Sequence, residues 1–230
     1  MSKFVHLHTH SHYSLLDGLS KIDQLVDAAK ERGMEALAIT DHGNMYGSVE
    51  FYKKATKAGI KPILGLETYV AERTRFDKES GIDSTRYHLT LLVKDKKGYE
   101  NLVQLVTRSH LEGFYYKPRI DRELLEKYHE GIICLSGCFN SELSKALESK
   151  NTKKAEKVIE YYKNLFGEDY YIEIQPESPD LIDAQVKIAK KMGVPIVATQ
   201  DSHYISKDDA PTHDILLAIQ TGNKIDDEKR

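Results

Sequence analysis

Phe4-Val-His-Leu-His-Thr-His-Ser-His12 is the stretch on which the fold and the site of this chain depend. Four histidines alternate with smaller or apolar residues, so in a β-strand they would share one face. Buried imidazoles need polar partners, because a ring nitrogen without one costs free energy. A divalent metal ion is such a partner. The alternative is a histidine-rich tail or tag, but a tag is consecutive and this run alternates within an apolar pattern.

Size and composition set the class of protein. The chain has 230 residues, 40% of them hydrophobic, and a single α/β barrel reaches this size. The net charge of −3 counts against a free-standing DNA-binding protein, although several bound divalent cations would reverse the local sign. We see no signal peptide, no apolar run of 18 residues, and only two cysteines, Cys134 and Cys138. These features predict a soluble cytoplasmic protein with free thiols and no membrane partner.

Strands alternate with helices along the whole chain. We predict seven strands, at about residues 3–9, 36–40, 60–70, 88–93, 131–136, 170–175 and 195–199. The alternation indicates a parallel sheet, closed here as a distorted (βα)7 TIM-like barrel of the α/β class. We expect one domain over residues 1–230, with the barrel core in about 1–205 and a closing helix and tail in 206–230.

Side chains that can bind metals collect at the predicted strand ends, where α/β barrels carry their reactive residues. Five of the seven ends have His, Cys, Asp or Glu: His6, His8, Asp17, Asp41, His42, Glu67, Cys138, Asp201 and His203. Nitrogen, oxygen and sulfur ligands together suit Zn²⁺ or a similar transition metal. The sequence therefore predicts a metal cluster at the C-terminal ends of the strands.

Each of these residues also has a plainer interpretation. Asp41-His42-Gly43 has the composition of an ordinary turn, Asp201 could cap a helix, and Cys138 could be a small buried apolar residue. Glu67 is harder to explain in this way, because a carboxylate inside an apolar strand costs several kcal/mol unless it is paired or bound to metal. His88 opens its strand, so either that strand runs antiparallel or its ends are misread.

Seven short motifs together resemble the polymerase-and-histidinol-phosphatase (PHP) family. They are His6-Leu-His8, Ser14-Leu-Leu-Asp-Gly18, Thr40-Asp-His-Gly-Asn44, Gly65-Leu-Glu67, Tyr87-His88, Ser136-Gly-Cys138 and Asp201-Ser-His-Tyr204. Two longer segments, 111–120 and 213–222, are similar to the PHP domains of bacterial DNA polymerase III alpha subunits. The resemblance covers essentially the whole chain.

The resemblance implies a distorted seven-stranded barrel that holds three divalent ions, with Zn²⁺ favoured over Mn²⁺ or Fe²⁺. The first site would take His6, His8, Glu67 and Asp201, the second Glu67, His88 and Cys138, and the third Asp17, His42 and His203. Glu67, His8, Asp201 and His203 would be the catalytic residues. We expect Asp41 and His10 behind these ligands, with Asp41 orienting a neighbouring histidine.

The activity implied by the resemblance is 3′→5′ exonuclease proofreading by a metal-dependent phosphoesterase. A hydroxide between two ions would attack phosphorus, and the third ion would neutralise the developing charge. The partners would be a DNA 3′ end, single-stranded or frayed, and the remainder of a polymerase III alpha chain with its replisome; polymerase activity would need that remainder. Lys117, Arg119, Tyr115 and Tyr116 could hold the DNA backbone and stack a base, although loop packing explains them equally well.

Two other functions remain open at this point. One is a catalytically silent, metal-stabilised structural module of a polymerase. The other is a small-molecule phosphatase that acts on a substrate like histidinol phosphate. The full set of ligand-competent residues argues against the first, and the polymerase-like segments argue against the second.

Overall fold

The sheet is organised around its longest strand, β2 (Lys61–Ala71). In the computed structural model, which describes residues 4–227, the eleven residues of β2 pair with three neighbouring strands. The first half of β2 pairs in parallel with β1 (Ala36–Ile39), and the second half pairs with β3 (Arg86–Val93) and β5 (Lys117–Ile120). The sheet continues from β3 through β6 (Ile132–Leu135) and β7 (Tyr170–Ile174) to β8 (Ile196–Ala198), and the short β4 (Phe114–Tyr115) forms a hairpin with β5.

Eight α-helices lie in the described residues and connect or flank these strands. They are α1 (Ile22–Glu31), α2 (Ser48–Ala58), α3 (Lys96–Leu111), α4 (Arg122–Tyr128), α5 (Glu142–Glu148), α6 (Thr152–Phe166), α7 (Pro179–Met192) and α8 (Ala210–Thr221). Local sequence explains several ends: the side chains of Asp95 and Asp121 cap α3 and α4 by accepting backbone N–H groups. Within residues 4–227, none of these helices has the length and apolarity needed to cross a bilayer.

The predicted first strand is not a regular strand. Its first residue, Lys3, lies outside the described residues, and the chain bends at Leu7 and His8. The segment nevertheless lies between two parts of the sheet. The backbone N–H of Ala38 in β1 donates to the carbonyl of His6 (2.9 Å). The backbone N–H of His10 donates to the carbonyl of Ser202, beyond β8 (2.8 Å). The fold is therefore a curled α/β sheet bridged by an extended segment, and the prediction of a (βα)7 barrel is met only in part.

The direction of β3 explains the position of His88. β3 runs antiparallel to both β2 and β6, so its N-terminal end lies beside the C-terminal end of β2. His88 is paired with Tyr69, two residues beyond Glu67. Of the two explanations considered for His88, the antiparallel strand is the correct one.

The inner face of the curled sheet is apolar at one end and polar at the other. Ala38, Leu92 and Leu135 form a buried apolar cluster, and Leu92 lies four residues along β3 from His88. Burying a leucine side chain stabilises the fold by roughly 1.5–3 kcal/mol. A larger apolar cluster fills the space between the sheet and helices α3 to α7. The other end of the inner face is lined by buried polar groups, including His8, His10 and Glu67.

Candidate metal centre

Eight side chains that could bind metal ions converge on the polar end of the sheet. They form four overlapping groups of three, and the donor atoms of each group lie within 4.8 Å of one another: His10, His42 and His203; His8, His10 and Asp201; His42, Glu67 and His88; Glu67, Cys138 and Asp201. Their positions explain how such distant residues meet. They come from the N-terminal segment, from β2 and β3, and from the turns that follow β1, β6 and β8.

Glu67 lies at the centre of this pocket. Its side chain is fully buried, with Oε1 at 2.8 Å from Nδ1 of His88 and Oε2 at 2.5 Å from Nδ1 of His42. Nε2 of His8 and Nε2 of His10 lie 3.6 and 3.7 Å from its two oxygens. Burial raises the pKa of this carboxyl, but the imidazoles of His88 and His42 outweigh burial and hold the pKa well below its usual range. Glu67 is therefore an ionised bridge among four imidazoles.

Several donor and acceptor atoms in the pocket are buried and face one another without a hydrogen bond of normal geometry. They are Nε2 of His8, Nε2 of His10, Nδ1 of His42, Oε2 of Glu67 and Oδ1 of Asp201. The Asp201 oxygen lies 3.3 Å from Nε2 of His8 and 3.1 Å from Nε2 of His10. Each unsatisfied buried polar atom costs roughly 1–3 kcal/mol, so five in one pocket need an explanation. Divalent cations fit, because lone pairs on imidazole nitrogen and carboxylate oxygen are their ligands.

Buried side chains behind the pocket fix the two N-terminal imidazoles. Nδ1 of His8 lies 2.7 Å from Oε1 of Glu173, and Nδ1 of His10 lies 2.9 Å from Oγ of Ser14. The Ser14 hydroxyl donates to Oδ1 of Asp41 at 2.7 Å. These contacts leave the Nε2 atoms of both histidines free to face the pocket. The predicted orienting position of Asp41 thus agrees with the geometry, with Ser14 as the relay.

Sequence analysis did not identify Glu173. The residue is fully buried in β7 and receives hydrogen bonds from Thr90, Thr199 and Gln175 and from the backbone N–H of Gly137. The signal was present in Tyr170-Tyr-Ile-Glu-Ile, a carboxylate inside an apolar strand, which is the same signal that singled out Glu67.

The positions of His6 and His10 correct the prediction. The ring of His6 belongs to none of the ligand groups among the described residues, and its Nδ1 lies 3.4 Å from Oγ of Ser202. His10, which the sequence predicts behind the ligands, belongs to two of the groups. The bend at Leu7 and His8 breaks the regular alternation, so His6 and His8 do not share one face. His8 and His10 are the candidate ligands from this segment.

Asp17 approaches the pocket from the loop after the N-terminal segment. Its Oδ2 lies 2.9 Å from Nε2 of His42 and 3.7 Å from Nε2 of His203, so the three residues predicted for the third site are together. Burial raises the pKa of Asp17, but these two histidines outweigh burial and hold it far below its usual range. The loop is tightly packed: a Cβ on Gly18 would lie 1.9 Å from the carbonyl oxygen of Ser11.

The pocket perturbs its ionisable groups in opposite directions. Burial lowers the pKa of His8, but Asp201, Glu173 and Glu67 outweigh burial and raise it to about 10. Burial together with His42 and His203 lowers the pKa of His10 to about 3. Burial also raises the pKa of the Cys138 thiol well above its usual value; its Sγ lies 3.3 Å from Nδ1 of His88. Protons and metal ions would therefore compete for the same lone pairs.

The predicted DNA-binding loop divides into exposed and buried residues. Lys117 and Tyr115 are half-buried, and Tyr116 is exposed. The prediction that Arg119 holds the DNA backbone is wrong. The side chain is fully buried, and its guanidinium donates to backbone carbonyls of Arg75, Asp77, Asp83 and Gly113. A side chain held in this way is not available to a DNA backbone.

The fold and this pocket define the class of protein: an α/β protein whose curled sheet carries a histidine- and carboxylate-rich site suited to divalent metal ions. The PHP domain profile matches residues 6–177, and the chain belongs to the PHP domain family. Asp201 and His203 lie beyond the matched residues but complete the pocket in space.

Curated relatives extend this comparison. The chain is 45% identical, over 234 residues, to the DNA polymerase III subunit alpha of Borreliella burgdorferi, and the match covers 100% of this chain and 20% of that protein. It is 48% identical over 236 residues to the DNA polymerase III subunit alpha of Thermus aquaticus, with 99% and 19% covered. The chain thus spans about a fifth of the length of these relatives.

A solved structure from Bifidobacterium adolescentis, provisionally described as a metal-dependent phosphoesterase, has a similar fold. Its TM-score to this chain is 0.57 at 15% identity, with 90% of each chain covered.

Proposed function

We propose that this chain is a metal-dependent phosphoesterase that hydrolyses DNA phosphodiesters from the 3′ end, as a 3′→5′ exonuclease within a polymerase III alpha chain. The observation that carries the proposal is a set of five buried ligand atoms that face one another in one pocket without hydrogen bonds of normal geometry, on His8, His10, His42, Glu67 and Asp201. Protein groups alone do not give these atoms hydrogen bonds of normal geometry, whereas divalent ions would satisfy them together.

The comparisons support the type of reaction and substrate. The chain is a PHP domain, and its curated relatives are DNA polymerase III alpha subunits, which favours DNA as the substrate. The structural neighbour from Bifidobacterium adolescentis carries the provisional description of a metal-dependent phosphoesterase. An exonuclease in this family context would remove nucleotides from the primer end.

Bound ions would be shared among overlapping ligand sets. His8, His10, Asp201 and Glu67 would hold one ion, Glu67, His88 and Cys138 a second, and Asp17, His42 and His203 a third, with Zn²⁺ favoured over Mn²⁺ or Fe²⁺. Divalent ions supply a Lewis acid for the phosphoryl oxygens and lower the pKa of water toward about 7.

The residues of the chain itself position and insulate this chemistry. Glu173 holds the His8 ring, and Ser14 with Asp41 holds the His10 ring, so that both Nε2 atoms face inward. The backbone of Asp201 has a φ of 47°, which is strained for a residue with a side chain. Strain of this kind is tolerated where surrounding contacts hold a functional side chain in place, and here the carboxylate reaches both His8 and His10.

The experiment compares three substrates on one purified protein. The chain is loaded with Zn²⁺ or Mn²⁺ and given a 5′-labelled single strand, a frayed primer–template and p-nitrophenyl phosphate. Asp201→Asn and His8→Ala are the test variants, and Glu168→Gln, an exposed carboxylate after α6, is the matched control.

We expect stepwise shortening of the strand from its 3′ end, lost in Asp201→Asn and His8→Ala and retained in Glu168→Gln. Metal uptake without hydrolysis of any substrate would contradict the proposal and support a structural module. Hydrolysis of p-nitrophenyl phosphate alone would also contradict it and support a small-molecule phosphatase.

A further inference from the structure

Two basic side chains at the edge of the pocket lack an acidic partner. Among the residues that the structure describes, no carboxylate lies within ion-pair distance of Arg86 or Lys117. Other arginines in the neighbourhood are paired: Arg73 with Asp83, and Arg75 with Asp121. Arg86 and Lys117 therefore keep their positive charge available to a ligand.

Strand pairing places Arg86 on the same face as the metal-binding residues. In the antiparallel pair of β2 and β3, Tyr69 lies opposite His88 and Ala71 lies opposite Arg86. Because side chains alternate along a strand, Arg86 and His88 project from the same face. Two residues of a strand span about 7 Å, so Arg86 is one layer further out than His88.

Tyr69 connects the two cations with the pocket. The guanidinium carbon of Arg86 and the Nζ atom of Lys117 each lie 5.8 Å from the centroid of the Tyr69 ring. The same ring lies 5.1 Å from the centroid of His88 and 6.1 Å from that of His42. Both cations thus pack against the Tyr69 ring, which lies beside the candidate metal ligands.

The guanidinium of Arg86 is incompletely satisfied. Its Nη1 donates to the carbonyl of Ser84 at 2.9 Å, but its Nε is buried without a partner. A planar guanidinium binds two oxygens of a phosphate side by side, and a lysine ammonium adds a point charge. Among common anions, a phosphate group matches the guanidinium in shape and both side chains in charge.

We propose that Arg86 and Lys117 bind backbone phosphates of single-stranded DNA next to the phosphodiester at the metal centre. The inference rests on the proposed function, since it assumes that a DNA strand enters this pocket. It also explains how a chain with a net charge of −3 could hold DNA, because a local pair of cations supplies the contact that the overall charge does not.

The test measures binding separately from hydrolysis. A fluorescent phosphorothioate oligonucleotide, which keeps the backbone charge and resists cleavage, is titrated onto the metal-loaded full chain at several salt concentrations, with anisotropy as the readout. The variants are Arg86→Gln, Lys117→Gln and the charge-conserving Arg86→Lys. Lys61→Gln is the matched control, because Lys61 is exposed at the opposite end of β2. Unfolding temperature and metal content are measured for every variant.

We expect Arg86→Gln and Lys117→Gln each to raise Kd about tenfold. Each should also reduce the slope of log K against log salt by about 0.7, the value for one lost phosphate contact on a single strand. Arg86→Lys should keep the wild-type slope, and it carries the test with Lys117→Gln if Arg86→Gln does not fold.

Three results would overturn the inference: no binding by the wild type, Kd values equal to that of Lys61→Gln, or weaker binding with an unchanged salt slope. Arg86-dependent binding together with no cleavage of an ordinary oligonucleotide would support the inference and contradict the exonuclease proposal, so the two failures are distinguishable.

Discussion

Nδ1 of His8 lies 2.7 Å from Oε1 of Glu173, and both side chains are fully buried. The contact directs the opposite nitrogen of His8 toward Glu67 and Asp201. Glu173 itself is held by four further hydrogen-bond donors, so the orientation of the ring is set by the packed interior of the sheet. A carboxylate–histidine pair of this kind raises the basicity of the ligand nitrogen and fixes its tautomer.

Glu173→Gln should weaken metal binding without removing a ligand. An amide keeps the shape of the side chain but loses the charge that favours the Nδ1–H tautomer of His8, and loss of such a partner lowers metal affinity about 10–100-fold. Competition with a chromophoric chelator measures this affinity. Glu168→Gln is the control, and unchanged metal affinity in Glu173→Gln would show that Glu173 does not position His8.

His10→Ala and His6→Ala distinguish the two possible ligand pairs of the N-terminal segment. His10→Ala should lose at least one ion, because Nε2 of His10 lies 3.1 Å from Oδ1 of Asp201. His6→Ala should keep the wild-type metal content, because His6 belongs to no ligand group among the described residues. Elemental analysis after gel filtration measures both, and the reverse pattern would restore His6 as the ligand.

Gly18→Ala should disturb the loop that carries Asp17. The added Cβ would lie 1.9 Å from the carbonyl oxygen of Ser11, so the loop or the N-terminal segment must move. Overpacking of this kind costs roughly 1–3 kcal/mol. Gly81→Ala is the control, because no atom lies within 4 Å of a Cβ there and only the positive φ of 82° opposes the change. Urea unfolding and metal content are the readouts; equal metal content in both variants would contradict a role for this close approach.

Arg119→Met should destabilise the fold rather than act on DNA binding alone. The substitution leaves four buried carbonyl contacts without their donor, and about 3 kcal/mol or more is expected. In a domain of this size, that loss lowers the unfolding temperature by roughly 6–12 °C. An unchanged unfolding temperature with weaker DNA binding would instead return Arg119 to the substrate site.

Asp83 should contribute a pH-dependent part of the stability. The hydrogen bond from Arg73 lowers the pKa of Asp83 from 3.8 to about 2 in the folded protein. A carboxyl with a depressed folded pKa stabilises the fold above its unfolded pKa, and this contribution is lost as the pH falls from about 4 to about 2. Urea unfolding of metal-stripped protein should therefore show a smaller loss of stability over this range in Asp83→Asn than in the wild type. Parallel curves would contradict this contribution.

Strand positions and most pocket residues could be predicted because their signals are local. Apolar runs indicated β2, β6 and β7, and a carboxylate inside such a run drew attention to Glu67. The sequence does not determine the direction of β3, since periodicity is the same for either direction.

Other features depend on tertiary contacts that a single sequence does not reveal. The choice between His6 and His10 depends on a bend that interrupts the alternation of the N-terminal segment. The burial of Arg119 depends on carbonyls that come from residues 75–83 and from Gly113. Asp41 lies in a recognisable motif, and Glu173 carries the signal of a carboxylate inside an apolar strand, but its contact with His8 depends on the placement of β7 beside the N-terminal segment.

Metal binding by the pocket is the central claim. The most direct test is to titrate chelator-stripped protein with Zn²⁺, with calorimetry and elemental analysis as the readouts. We expect tight uptake of more than one ion per chain, with proton release, and loss of most of this uptake when Glu67→Gln and Asp201→Asn are combined. No uptake by the wild type, or equal uptake by the double variant, would contradict the claim.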